Sequence, residues 1–343
     1  MRKMNKYFSS VILGSLLLFT TACGSGDEVS GNQNESASES ESIELSLSIG
    51  LSEGSHFGVG ALKFKEEVEK LTNNEVTVRV YPNSQLGGER EVMEGMSIGN
   101  IDLQVTTAGP MSSFVSELAL LDLPYLFENH EHAHEVLDSE IGTELADKFE
   151  AATNIKVLGW MENGFRTLIN SSHPVETVED LKGLKLRVQE NELQIDTFRE
   201  LGANPTPMAW PEVFTGMQQG VIDGFSNPYS VIKDGKFEEV GQFISTIQET
   251  YSAMPLLMSK AKFDSLSNEH QDAIIEAAKI AVPYQREQAA KMEAEIAEEY
   301  KEMGVTITTP DLAGMKEAVE PIFEKWAPQF GEELVEMIRN YEY

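Results

Sequence analysis

The chain has few cysteines and few basic residues, and each shortage excludes a kind of bond or partner. It has one cysteine, Cys23, so no internal disulfide can form in any compartment. Basic residues are also few, since 26 Lys and Arg stand against 57 Asp and Glu and the formal net charge is −31. A surface this acidic repels nucleic acid and anionic lipid, so we expect neither as a partner. An anionic ligand would therefore need positive charge concentrated at its own site.

The first residues are typical of an export signal. Basic residues at positions 2, 3 and 6 precede an apolar run, residues 11–19, which at about nine residues is too short for a permanent membrane helix. Small residues then precede Cys23, which resembles the lipobox of bacterial lipoproteins, although Thr20 stands where Leu is usual. We predict a lipoprotein signal peptide over residues 1–22 and lipidation of Cys23. The alternative is an ordinary secretory signal with an incidental cysteine.

The chain should be globular beyond a short polar segment. Residues 23–42 are almost entirely Gly, Ser, Asn and Glu, which predicts a disordered tether. Alternating apolar residues then predict a strand over 43–49, a helical stripe follows from Phe57 to Leu71, and VTVRV (76–80) predicts a second strand. This strand, helix, strand order favours an α/β sheet. The full length of 343 residues allows roughly two domains.

One stretch of sequence occurs twice, which indicates two related lobes. EVMEGMSIGNID (91–102) recurs as EVFTGMQQGVID (212–223), over a hundred residues later. Each copy predicts a helix that ends at a glycine, Gly99 or Gly220, followed by a strand whose carboxyl end reaches a ligand cleft. The first strand leads to Thr107. Two residues before each copy stand Glu89 and Trp210, which we expect at equivalent positions in the cleft.

The C-terminal third is predicted to brace the two lobes. Ser267 can cap a helix that continues to about Met303, with a kink at Pro283. A helix this long exceeds one lobe. A short strand near 305–307 and amphipathic helices containing Phe323, Trp326 and Phe330 should follow.

Two motifs point to other chemistry and each has a plainer explanation. Ser52 lies in a G-x-S-x-G stretch (50–54), the pattern of a serine-hydrolase nucleophile, but Gly- and Ser-rich turns after a first strand are common. The stretch HEHAH would place His130 and His134 on one helix face, as in some metal sites. It also fits the polar start of a surface helix, and we predict no metal.

Two arginines are candidates for binding a carboxylate. Arg166 follows Asn163-Gly164-Phe165, and Arg187 lies in the predicted strand LKLRV (184–188). Either one alone could be a surface residue with a buried stem. Together they make a carboxylate clamp credible, because guanidinium offers two parallel donors.

Four motifs in this order resemble the extracytoplasmic solute receptors of tripartite ATP-independent periplasmic (TRAP) transporters, of the dicarboxylate-receptor (DctP) type. They are YPxxQLG (81–87), LKGLKLR (181–187), GAxPTPM (202–208) and QGVIDGxxNP (219–228). The resemblance runs from about Ile43 to the C-terminus. It implies a two-lobed binding protein that closes on an organic acid and hands it to the small and large subunits of an ion-driven permease.

The resemblance also implies roles for particular residues. Arg187 pairs with the ligand carboxylate, Arg166 supports it, and Asn227 bonds to the same end of the ligand. Glu89 and Thr107 face them from the first lobe. Trp210 would stack on a sugar ring or acyl chain, with plain core packing as the alternative.

We predict a sugar acid such as a hexuronate as the ligand, with Gln189 and Glu190 bonding to its hydroxyls. Thr107 stands where the sialic-acid-binding members carry an acidic residue. A C4-dicarboxylate is the closest alternative. It would need a second cation at the far end, for which His56 is the candidate, whereas the remote alternative is a secreted hydrolase that uses Ser52.

The overall prediction is a two-lobed, type II periplasmic-binding-protein-like α/β fold with a long helix across both lobes. Lobe I comprises residues 43–164 and 252–291, and lobe II comprises residues 165–251 and 292–343. The hinge crossings are expected near Gly164 and Tyr251. We expect a monomer that is not an enzyme and needs no cofactor.

Overall fold

A computed structural model of the chain describes residues 42–343. The predicted signal peptide, Cys23 and the predicted tether up to residue 41 lie outside the described residues. Of the helices in the described part, none is both long and apolar enough to cross a membrane.

The strands of residues 42–343 form two separate sheets. They are β1 (Ile43–Ile49), β2 (Val76–Tyr81), β3 (Leu103–Val105), β4 (Ile155–Phe165), β5 (Thr167–Asn170), β6 (Lys185–Val188), β7 (Asn204–Pro207), β8 (Gly224–Asn227), β9 (Phe243–Ser245), β10 (Tyr251–Ser259) and β11 (Thr306–Thr308). The first sheet has the order β2-β1-β3-β10-β4, and the second has the order β11-β9-β5-β8-β6-β7. In each sheet parallel pairs are combined with antiparallel pairs.

Helices cover both sheets, as expected of an α/β protein. They are α1 (His56–Leu71), α2 (Glu89–Ser97), α3 (His130–Asp138), α4 (Glu140–Thr153), α5 (Glu192–Glu200), α6 (Val213–Gln218), α7 (Tyr229–Asp234), α8 (Lys260–Ser265), α9 (Asn268–Glu302), α10 (Leu312–Ala318), α11 (Glu320–Phe330) and α12 (Glu332–Arg339). The predicted β1, α1 and β2 are thereby confirmed.

We call the part built on the first sheet lobe I and the part built on the second sheet lobe II. The chain crosses between them from β4 to β5, returns from β9 to β10, and crosses again along α9. The two-lobed α/β fold is therefore confirmed. The lobes pack on each other, because residues 42–343 belong to one compact unit.

The repeated stretch has the same local structure in both lobes. In lobe I it gives α2 and β3, and in lobe II it gives α6 and β8. Gly99 and Gly220 end their helices with φ of +79° and +71°, values that favour glycine. Each copy thus sends a strand toward the cleft, as predicted.

The long helix α9 braces the two lobes. Ser267 accepts a hydrogen bond from the amide of His270 at 3.2 Å, the predicted cap. The first half of α9 packs on α1 and β4 of lobe I. Further along, the Glu293 carboxylate accepts the amides of Tyr229 and Ser230 at 3.0 and 2.7 Å, at the start of α7 in lobe II. Pro283 lies inside this helix.

Gln285 ties α9 to the strand that leads to the first crossing. Its side-chain oxygen accepts the amide of Glu162 at 2.8 Å, and its amide group donates to the Glu162 carbonyl at 2.8 Å. The side chain is fully buried. These two bonds satisfy backbone groups that water cannot reach.

Replacing Gln285 by Ala should lower the free energy of unfolding by about 2–4 kcal/mol, because it leaves a buried N–H and a buried C=O without partners. Chemical denaturation measures this change. The control is Gln288→Ala on the partly exposed side of the same helix, which should change stability by less than about 0.5 kcal/mol. Equal effects of the two substitutions would contradict this role for Gln285.

Candidate ligand-binding site

Arg187 is a buried cation at the cleft between the lobes. It lies on β6 and is 4% exposed. Its Nε donates to the Met208 carbonyl at 2.9 Å, but within residues 42–343 its two terminal nitrogens have no hydrogen-bond acceptor and no carboxylate as an ion-pair partner. The Trp210 ring lies 5.8 Å from the guanidinium carbon. The two-donor end of the guanidinium is thus available to a ligand.

The electrostatics of Arg187 favour an anion. The pKa of its guanidinium is lowered to about 10, chiefly by burial; Glu89 opposes this shift, and the like charge of Arg166 adds to it. A buried charge without a close partner is costly. A ligand carboxylate would supply the missing negative charge.

In Arg166, in contrast, both terminal nitrogens are bonded to protein groups. One terminal nitrogen donates to the Ser226 carbonyl at 3.0 Å, and the other donates to Gln189 Oε1 at 2.6 Å and Ser252 Oγ at 3.2 Å. Arg166 does not line the space in front of Arg187, and both arginines line a second small cavity. Through its bond to Gln189, Arg166 holds the Gln189 oxygen.

Glu89 and Thr107 form the opposing wall in lobe I. Glu89 Oε1 accepts the Thr107 amide at 3.0 Å, the Thr107 hydroxyl at 2.7 Å and the Thr106 hydroxyl at 2.9 Å. From lobe II, Gln189 Nε2 donates to Thr107 Oγ1 at 2.7 Å and to Glu89 Oε2 at 3.3 Å. The two walls are therefore in direct contact, and the cleft is closed.

A small inner cavity lies between these walls. Six of the predicted binding residues line it: Arg187, Asn227, Trp210, Glu89, Thr107 and Gln189. Glu89 and Trp210, the equivalent positions of the repeat, thus both reach the cavity. A wider opening of about 470 Å³ shares Glu89, Arg187, Gln189 and Trp210 with it.

Two further predicted residues lie outside the inner cavity. Glu190 lies at the wider opening, where its side chain is 39% exposed and 3.6 Å from Arg90 of lobe I. His56 is fully buried behind Asn163, with its Nε2 2.9 Å from Asn163 Oδ1. Burial lowers the pKa of His56 to about 4. The idea that His56 is a second cation is therefore wrong, because the ring is neutral near pH 7.

The structure adds residues that the sequence did not single out. Asn163 lines the cavity beside Asn227, and Leu51, Phe57 and Val231 form an apolar wall. Asn163 stands three residues before Arg166, and this proximity in sequence could have marked it as a binding residue. Nothing in the sequence marks the apolar residues, because they resemble ordinary core residues.

The serine and the histidines of the two remaining motifs contact acidic side chains. Ser52 donates through its hydroxyl and its amide to the Asp234 carboxylate of lobe II, and no histidine of residues 42–343 bonds to that hydroxyl. The hydrolase triad is therefore not assembled there. His130 and His134 lie 3.0 and 2.6 Å from Glu162 Oε2. In the described part of the chain no group of three or more ligating residues could hold a metal ion.

Comparisons with known proteins agree on one family. Residues 47–329 match the family model DctP, described as bacterial extracellular solute-binding protein, family 7. A solute-binding protein of Verminephrobacter eiseniae is 39% identical over 293 residues, which cover 85% of this chain and 87% of that protein. The 2,3-diketo-L-gulonate-binding periplasmic protein YiaO of Escherichia coli is 36% identical over 276 residues, with 79% and 84% covered.

Solved structures give the same result. A TRAP periplasmic solute-binding protein from Polaromonas sp. JS666, bound to D-erythronate, superposes with a TM-score of 0.85 at 37% identity. The match covers 88% of this chain and 99% of that one. Others of the same kind, at 27–30% identity, hold D-glucuronate, β-D-galacturonate or succinate.

Two buried acids lie next to Arg166. Glu249 is 1% exposed, its Oε1 accepts the Ser226 hydroxyl, and burial raises its pKa to about 7. Asp122 accepts Asn191 Nδ2 at 2.7 Å, and burial raises its pKa to about 6. The favourable effect of Arg166 on both carboxylates is thus smaller than the cost of removing them from water.

Glu249 should make folding depend on pH. The folded state holds the Glu249 proton up to about pH 7 and the unfolded state only to about pH 4.5, so the parent protein should lose up to about 3 kcal/mol of stability as pH rises through this window. In Glu249→Gln the side chain cannot ionise and this loss should vanish. Unfolding free energies of both proteins between pH 4 and 8 measure the difference. A difference that stays constant with pH would contradict the assignment.

Proposed function

The chain belongs to family 7 of the bacterial extracellular solute-binding proteins, and from that premise we propose that it captures a sugar acid such as a hexuronate. It is a solute receptor of a TRAP transporter. The observation that carries the proposal is the buried guanidinium of Arg187, whose two terminal nitrogens lack an acceptor within the described residues. Its charge and geometry suit a carboxylate.

In this proposal one end of the cavity holds the carboxylate. Arg187 donates two parallel hydrogen bonds to it, and Asn227 adds a third from the same side. A charge-assisted pair of this kind, shielded from water, contributes about 2–3 kcal/mol net. The Trp210 ring, which already contacts Arg187, forms the wall along which a sugar chain or ring lies.

The other end of the cavity is proposed to bind hydroxyls. Glu89 accepts hydrogen bonds, and Gln189 and Thr107 beside it offer both donors and acceptors. Glu190, at the wider opening, would bond to hydroxyls that reach outward. Relatives that hold D-glucuronate and β-D-galacturonate support this choice of ligand.

A C4-dicarboxylate fits the far end less well. Its second carboxylate would approach the Glu89 carboxylate, and repulsion between like charges would oppose binding. Arg166 is already bonded to Ser226, Gln189 and Ser252, and His56 is neutral. One relative does hold succinate, so the ligand panel described below includes it.

Ligand capture is proposed to shift an equilibrium between open and closed lobes. The hinge lies at the crossings near Gly164 and Tyr251, with lobe I as residues 43–164 and 252–291 and lobe II as residues 165–251 and 292–343. A ligand that touches Arg187 and Glu89 together stabilises only the closed form. The long helix α9 limits the motion, because it is bonded to both lobes.

The receptor is proposed to act outside the cytoplasmic membrane. The family is extracytoplasmic, and lipidation of Cys23 would hold this chain at the outer face of the membrane. The partners are then the small and large permease subunits, which accept the ligand from the closed receptor. We propose a monomer without a cofactor.

Arg187→Ala should weaken hexuronate binding by at least roughly 30-fold, because the carboxylate loses its charge-assisted bonds. Isothermal titration calorimetry measures this with a ligand first identified by thermal shift in a panel of uronates, aldonates, C4-dicarboxylates and 2-oxoacids. The matched control is Arg199→Ala, which removes an exposed arginine paired with Asp196. Circular dichroism checks that both variants are folded. Binding by Arg187→Ala within tenfold of the parent would refute the carboxylate clamp.

Glu89→Gln should change which acid is preferred. It keeps the acceptor for Thr106 and Thr107 but removes the negative charge, so hexuronate binding should weaken about tenfold and the preference over succinate should shrink. Competition calorimetry measures the ratio of the two affinities. Glu66→Gln, an exposed change on α1, should leave this ratio unaltered. An unchanged ratio in Glu89→Gln would show that Glu89 does not select the far end of the ligand.

A further inference from the structure

Three buried side chains form a hydrogen-bonded row that ends at the cavity. His56, at the start of α1, has its Nε2 2.9 Å from Asn163 Oδ1 on β4. Asn163 Nδ2 donates to Asn227 Oδ1 at 3.3 Å and to Ser252 Oγ at 3.1 Å. His56, Asn163 and Asn227 are 0%, 1% and 5% exposed. Asn163 and Asn227 line the cavity, whereas His56 does not.

His56 sets the direction of the hydrogen bonds along the row. An amide has one accepting end and one donating end, so each amide passes a fixed polarity to the next. If His56 carries its proton on Nε2, Asn163 accepts with its oxygen and turns its NH₂ toward the Asn227 oxygen. The NH₂ of Asn227 then faces the cavity. The other tautomer would reverse both amides and present a carbonyl oxygen to the ligand.

Burial favours the first arrangement. Nδ1 of His56 is buried without a hydrogen-bond partner. A buried N–H without an acceptor is rarer and costlier in proteins than a buried acceptor without a donor. The proton is therefore expected on Nε2, where Asn163 Oδ1 accepts it.

The surroundings of His56 keep the ring neutral. Loss of water is the largest influence and lowers its pKa to about 4, although Asn163, Asp234 and Glu162 act in the opposite direction. The Phe57 ring meets it edge-on at 4.8 Å. On the α9 side, Gln285 Nε2 donates to the His56 carbonyl at 3.3 Å and carries no charge. A single neutral tautomer is thus expected between pH 6 and 8.

We propose that His56 is a positioning residue for the ligand: with its proton on Nε2, it orients Asn163 and through it Asn227, so that Asn227 offers its NH₂ to the ligand carboxylate. The proposal rests on the proposed function, because it assumes that the carboxylate lies between Arg187 and Asn227. The row then selects an anionic acceptor group, and it does so without any contact between His56 and the ligand.

The first test needs no ligand. Nitrogen-15 NMR of histidine-labelled protein, with the His56 signal among the six histidines assigned by its loss in His56→Gln, reports which ring nitrogen carries the proton. The expected result is a protonated Nε2 and a bare Nδ1 throughout pH 6–8. A proton on Nδ1, or on both nitrogens, would overturn the proposal whatever the ligand proves to be.

The second test uses ligand affinity and a rescue. His56→Leu removes the donor and should weaken hexuronate binding about tenfold, whereas His56→Gln can place an NH₂ near the former Nε2 and should stay within about threefold of the parent. Asn163→Asp presents only acceptors to Asn227 and should weaken binding at least as much as His56→Leu. The control is His270→Leu. His270 lies near the start of α9, far from the row, and pairs with Glu75.

The outcomes are distinguishable. Parent-like binding by a folded His56→Leu overturns the proposal, and so does a Gln variant as weak as the Leu variant. If His56→Leu does not fold, Asn163→Asp decides alone, and parent-like binding by it overturns the proposal. If the parent protein binds no sugar acid at all, the proposed function fails while the NMR result still decides the state of His56.

Discussion

The buried charge of Arg187 is the constraint on which the site depends. A guanidinium that is 4% exposed, with one nitrogen bonded to Met208 and no ion-pair partner among residues 42–343, would gain a close counter-ion from an anionic ligand. The scarcity of basic residues sharpens this point. In a chain of net charge −31, the terminal nitrogens of Arg166 are bonded to protein groups, whereas those of Arg187 are available to a ligand. Local arrangement, not overall charge, thus gives the cleft its affinity for an acid.

Closure follows from the same arrangement. Gln189 links the walls directly, since it accepts from Arg166 and donates to Thr107 and Glu89. Outside the cavity, Ser52 and Asp234 form a second contact between the lobes. Contacts between the lobes themselves thus contribute to the closed form, and a bound ligand would add its own. Ligand capture would then shift the populations of two states of the same two lobes.

Much of the fold was predictable, because local patterns specify it. The alternation in β1, the apolar stripe of α1 and the Ser267 cap of α9 each need only neighbouring residues, and the repeat placed Glu89 and Trp210 at one cavity. The different roles of the two arginines were harder to predict. Arg166 and Arg187 look alike in sequence, as each stands beside apolar residues, and only tertiary contacts show that the terminal nitrogens of the first are bonded and those of the second are not. That His56 is a buried neutral ring and not a cation likewise depends on tertiary packing, because loss of water lowers its pKa to about 4.

The most direct test of this account changes the ligand rather than the protein. Calorimetric titration with a hexuronate and with its methyl ester compares two ligands of nearly equal shape that differ in the negative charge. If Arg187 binds the ligand carboxylate, the ester should bind at least roughly 30-fold more weakly than the acid. Equal affinities for the acid and the ester would contradict the account.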